Sequence, residues 1–153
     1  MKRKVTRLDV PVEFDFELLA ILTGLKDYRL CYEINKKLNL KFTRQKDKEL
    51  KDALNNRSEF AHFRCFNEIT REEIILIYNK GSNGILIPEM KNIDYFMLIK
   101  NHPPGEVDGI MKSMNEMENI SGVYKLNPAE LKSAENFLIF EAHEKPATRF
   151  KPY

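Results

Sequence analysis

Ile87-Pro88-Glu89-Met90-Lys91-Asn92-Ile93-Asp94-Tyr95-Phe96-Met97-Leu98-Ile99-Lys100 is the most apolar stretch in the second half of the chain, and its reading decides the fold. Only Asp94 interrupts the apolar run over residues 93–99. A short run rich in aromatic and β-branched residues and bounded by polar ones predicts a strand covered on both faces. Lys100-Asn101-His102-Pro103-Pro104-Gly105 ends it. Upstream, residues 84–87 predict a second short strand. Pro88 closes it, because proline donates no ladder hydrogen bond and pushes its neighbour extended. Glu89 and Asp94 then flank the connection into a central strand. A carboxylate opening a buried strand must find a donor or stay at the rim. Two nearby carboxylates can also do acid–base chemistry. The structural role is the preferred reading, since buried acids must be paired.

The same residues carry a family likeness. Ile87-Pro88-Glu89 and Asp94-Tyr95, with Ile93 in place of valine, resemble the signature of the IPExxxVDY family, a group of small bacterial proteins. Phe14-Asp15-Phe16-Glu17-Leu18, Asp27-Tyr28-Arg29-Leu30 with Ile34-Asn35-Lys36, and Asn127-Pro128-Ala129-Glu130-Leu131-Lys132-Ser133 extend the resemblance over residues 14–140. It implies no activity, substrate or catalytic residue. It makes Pro88, Glu89, Asp94, Tyr95, Asp27, Tyr28 and Arg29 candidate signature positions with a structural role. Asp27 suits a helix start through the macrodipole. Arg29 is expected to pair with Glu89 or Asp94 and so tie the first helix to the motif.

Away from the motif, periodicity sets the elements. Residues 12–21 alternate with period two and predict a strand, while 18–25 by composition suit a helix equally. Residues 26–38 place Tyr28, Cys31, Tyr32, Ile34 and Leu38 at helical steps. A strand over 40–43 follows, then a charge-dense loop or marginal helix over 44–57. Residues 58–67 and 72–78 predict an antiparallel hairpin. Pro103-Pro104-Gly105 opens a second helix carrying Val107, Ile110, Met111, Met114 and Met117. Residues 120–126 predict a strand, 127–136 a short helix, and 137–140 an edge strand. Two strand–helix–strand units around a mostly antiparallel sheet predict an α+β, ferredoxin-like sandwich, with two main helices on one face and an inserted hairpin. ACT-type regulatory domains share that plan, which does not by itself carry function. One domain over 1–140 and a flexible tail over 141–153 are expected.

Composition bounds the function classes. The 153 residues are 42% hydrophobic and 31% charged, as in ordinary globular proteins. No apolar run approaches the roughly 20 residues that span a bilayer, so no membrane association is expected. The basic start lacks an apolar core and a cleavage site, so a cytoplasmic location is expected. The two cysteines, Cys31 and Cys65, are too few and scattered for a disulfide framework or zinc site. The net charge of +2 is uneven. Residues 1–57 hold 14 Lys/Arg against 9 Asp/Glu, and residues 58–153 hold 11 against 14. A basic half can mark an anionic partner, but real nucleic-acid domains tend to be far more basic.

No phosphate-binding glycine loop, nucleophile elbow or metal-ligand spacing appears; His62, His102 and His143 stand far apart. The expectation is a non-enzyme without cofactor or metal. The best candidate surface is Phe60, His62, Arg64 and Phe66 on one side of a strand, because aromatic and basic side chains interleaved there can stack bases. The competing reading packs this face under a helix or across a dimer, as most aromatic strand faces are. Three functions remain in order of preference. They are a non-catalytic interaction or regulatory domain binding a protein partner or itself as a homodimer, an ACT-like small-molecule sensor, and an RNA- or ribosome-associated protein.

Overall fold

The strand expected at the centre is β7, Tyr95–Lys100, and the computed structural model, which describes residues 13–141, builds a six-stranded antiparallel sheet around it. In chain order the elements are β1 (Glu17–Thr23), α1 (Asp27–Leu38), β2 (Thr43–Arg44), β3 (Lys48–Lys51), β4 (Arg57–Phe60), β5 (His62–Phe66), β6 (Glu73–Tyr78), β7, α2 (Glu106–Asn115), β8 (Ile120–Leu126) and α3 (Leu138–Glu141). The sheet order is β2-β5-β6-β7-β1-β8, and β3 and β4 form a separate two-stranded ribbon.

Side chains alternate across a strand, so each central strand feeds two cores. Leu19, Ile21, Ile74, Leu76, Tyr95, Met97 and Ile99 point to one face. There they meet Leu30, Cys31 and Ile34 of α1 and Val107 and Met114 of α2. Leu18, Ala20, Ile75, Ile77, Phe96 and Leu98 point to the other. Phe60, Leu86, Ile87, Ile93, Phe137 and Phe140 cover them. The molecule therefore has three layers. Antiparallel sheets commonly leave one face wet. Here the unbroken apolar runs of β6 and β7 require cover on both.

Local signals account for the helices. α1 begins with Asp27 and ends with Lys36 and Lys37, which complement the helix dipole. Asn39 stops it in the left-handed conformation at φ 55°, a conformation that asparagine tolerates. Asn35 Oδ1 then accepts the Phe42 N–H at 2.8 Å and turns the chain into β2. No described helix is long and apolar enough to cross a membrane.

Several expected elements differ. β1 starts at Glu17, with residues 13–16 outside it, and the strand over 40–43 shrinks to β2. The charged segment 44–57 holds β3 instead of a helix, because alternating Lys48-Glu49-Leu50-Lys51 pairs with β4. The expected strand over 58–67 breaks at Ala61 into β4 and β5, which belong to different sheets. Residues 84–87 make a single bridge, Lys80 to Ile85. The helix over 127–136 is two short 3-10 turns, Pro128–Glu130 and Ala134–Phe137. The expected edge strand over 137–140 is mostly α3, since Phe137 and Phe140 are needed on the second face. Glu141 ends α3, where its carboxylate meets Lys100 Nζ at 2.7 Å. The rest of the expected tail and the first 12 residues lie outside the described residues.

Candidate functional site

The two ends of the β6–β7 ladder treat their polar groups differently. At the end where Tyr78 pairs with Tyr95, the motif loop is tied down by Asn79. This side chain is fully buried. Its Nδ2 donates to the carbonyls of Met90 at 3.0 Å and Ile93 at 2.9 Å. Its Oδ1 accepts the Ile87 N–H at 3.0 Å. Its backbone N–H and C=O bond Asp94 and Leu86. A buried amide must find partners for both its ends, and this one does.

The motif residues hang from that hub. Pro88 opens a 3-10 turn over Pro88–Met90. The Glu89 carboxylate accepts the Ser133 N–H at 2.6 Å and the Ser133 hydroxyl at 2.9 Å. Burial opposes its ionisation, but hydrogen bonds from Ser133 and from its own backbone N–H, with the Lys132 charge, outweigh this and hold its pKa below the usual value. Asp94 Oδ2 accepts the Thr23 N–H at 2.9 Å, and Oδ1 meets Lys80 Nζ at 3.2 Å. The Tyr95 hydroxyl donates to the Leu25 carbonyl at 2.8 Å, and its ring stacks on Tyr78. Burial raises the Tyr95 pKa. Glu89 and Asp94 each have separate donors. They serve as ties from the loop to the C-terminal turns and to β1.

The expected tie through Arg29 is absent. Its Nε pairs with Glu33 one helical turn on, at 3.1 Å, because that carboxylate lies on the same face of α1. Asp27 Oδ1 accepts the Tyr28 N–H at 2.7 Å, and Tyr28 itself is largely exposed.

The row Phe60, His62, Arg64 and Phe66 does not form one open face. Phe60 is buried in the second core and His62 is 2% exposed against Phe140. Arg64 is paired with Glu73 and donates to the Phe140 carbonyl at 2.8 Å. Phe66 alone is exposed, under the Arg71 guanidinium. The break at Ala61 and the cover of α3 are why the row closes. Desolvation by burial, reinforced by the Arg64 charge, lowers the His62 pKa to about 4.

At the other end of the ladder polar groups stay open. A cleft of about 490 Å³ is lined by Leu40, Cys65, Phe66, Ile69, Glu72 and His102, among others. His102 Nδ1 lies 2.6 Å from Glu106 Oε1 and 4.0 Å from Glu72 Oε1. The His102 side chain is 7% exposed, and its Nε2 has no hydrogen-bond partner among the described residues. The cluster is not legible in the sequence because Glu72, just before β6, is far along the chain from His102, just after β7, and Glu106, at the start of α2. The Asn101-His102-Pro103-Pro104-Gly105 turn is the one local hint. Above the cleft, Ile69 is 93% exposed in the β5–β6 turn. Asn67 Oδ1 fixes that turn by accepting the Ile69 and Thr70 N–H groups at 2.9 and 3.1 Å.

Cys31 and Cys65 are free thiols. Burial raises the Cys31 pKa to about 11, which removes its thiolate at neutral pH. Neither a protein-family model nor a curated protein matches the chain.

Proposed function

We propose that this protein is a non-catalytic interaction or regulatory domain that docks a protein partner through the β5–β6 turn. The carrying observation is Ile69, 93% exposed at the tip of a turn that Asn67 holds rigid. An apolar side chain presented on a rigid turn gains burial on docking and loses little conformational freedom. Half-exposed Phe66 beside it extends the apolar contact. The order β8-β1-β7-β6, with α1 and α2 over one face, supports a ferredoxin-like, ACT-like plan. The motif residues Ile87 to Tyr95 support kinship with the small bacterial proteins of the IPExxxVDY family. The cleft beneath the turn favours a second reading as a small-molecule sensor, since its volume lies in the range of ligand pockets. RNA binding is disfavoured, because Phe60 and His62 are buried and Arg64 is engaged.

Ile69→Glu tests the docking. The wild type is expected to form a homodimer by light scattering or to retain a stoichiometric protein from native lysate after RNase. The variant is expected to lose that association at least tenfold while keeping its melting temperature. Equal mass and equal retained proteins for both chains overturn the reading.

A further inference from the structure

We propose that Glu72, His102 and Glu106 form a binding site for a divalent transition-metal ion at the mouth of the cleft. Their donor atoms, one per residue, all lie within 4.8 Å of one another. One imidazole and two carboxylates form the mixed nitrogen–oxygen set that zinc and its first-row neighbours take. Ligands at tetrahedral zinc sit roughly 3.3 Å apart, given metal–ligand bonds of about 2.0–2.1 Å. The observed 2.6 Å and 4.0 Å separations from His102 Nδ1 bracket that value. Glu106, the more exposed carboxylate, has room to swing outward.

Charge points the same way. Among the described residues, neither Glu72 nor Glu106 meets a lysine or arginine; their ionic partner is His102. Two carboxylates converging on one imidazole leave a negative site, which a cation neutralises. The buried His102 ring is aimed through Nδ1 at both carboxylates, and its Nε2 is without a partner among the described residues. A metal on Nδ1 fixes the tautomer with hydrogen on Nε2. The backbone positions the donors as well. Each directly follows a residue with positive φ: Arg71 at 68°, Asn101 at 63° and Gly105 at 89°. Asn101 Nδ2 also donates to the Arg71 carbonyl at 2.9 Å, locking the Glu72 and His102 segments together. Left-handed backbone is disfavoured for residues that carry a Cβ, so the surrounding structure must hold Arg71 and Asn101 there.

Three protein ligands leave a coordination position open, and Glu72 and His102 both line the cleft. The proposal does not depend on the docking turn, and its test reads metal rather than partner. Chelator-stripped, untagged full-length chain is titrated with Zn²⁺ alone by calorimetry, and with Co²⁺ followed optically. One zinc per chain is expected, with a melting rise of several degrees at saturation. Glu106→Gln and Glu72→Gln, near-isosteric changes at partly exposed sites, should each weaken binding at least tenfold. Cys65→Ser should leave it unchanged, and the cobalt spectrum should lack a sulfur charge-transfer band. Absence of zinc binding by the wild type overturns the site. So does binding that survives both glutamine variants, or binding that Cys65→Ser removes. His102→Ala adds a check if it folds, and the glutamine variants decide the matter without it.

Discussion

The two ends of the β6–β7 ladder are built from similar materials and do opposite things. At the Tyr78 end, Asn79, Glu89 and Asp94 have partners for their side-chain groups, and the loop is closed. At the Glu73 end, Glu72 and Glu106 converge on the single nitrogen His102 Nδ1 and meet no lysine or arginine among the described residues. Saturated polar groups stabilise and specify a structure, whereas groups left wanting a partner are free to bind one. The motif turn thus lies at the end that holds the fold together, and the proposed metal site lies at the other.

The largest test of this contrast is at the closed end. Asn79→Ala strands the buried Ile87 N–H and Ile93 carbonyl and leaves the Met90 carbonyl with the Ile93 N–H alone. At about 1–3 kcal/mol for each orphaned group, with some relaxation, the expected loss is about 3–5 kcal/mol in urea unfolding. A loss under about 1 kcal/mol would mean that water reaches the loop and that the end is not closed.

Acid is the next lever. His62 is neutral when folded, with its pKa near 4, against 6.5 for an exposed imidazole. Between those values the unfolded chain binds a proton that the folded chain refuses. Stability from this residue is therefore whole above pH 6.5 and is lost as pH falls toward 4. The expected loss is roughly 2–3 kcal/mol, and His62→Phe should flatten the dependence over that window. An unchanged pH profile in the variant would place the acid sensitivity elsewhere.

The smallest effect is a paired comparison. Glu89→Gln weakens two hydrogen bonds to Ser133 and should cost about 1 kcal/mol. Glu106→Gln in metal-free buffer should change stability by less than about 0.5 kcal/mol, because its contact is exposed and shared. Denaturation midpoints of the two variants side by side measure the contrast directly. Equal losses would erase it.

Much of the secondary structure is legible from local pattern. The steps of three and four in residues 27–38 require α1, and the alternation in 120–126 requires β8. The apolar run of β7 requires cover on both faces, since no polar face is available to meet water. The same runs left open what would supply the second cover. Phe137 and Phe140 looked like a strand by composition, yet a short apolar run does not distinguish strand from helix. The break at Ala61 was equally hidden, because period two continues across it while the partner strand changes from β3 to β6.

By itself, the sequence determined the element periods, the antiparallel α+β class and the motif turn, because these rest on neighbours a few residues apart. Only the tertiary structure decided that Arg29 does not tie α1 to the motif, that Phe60 and His62 are buried, and that Asn79 governs the motif loop. It also decided that Glu72, His102 and Glu106 meet. Those contacts depend on which strand ends the sheet brings side by side, and pairing across a sheet leaves no period in the chain.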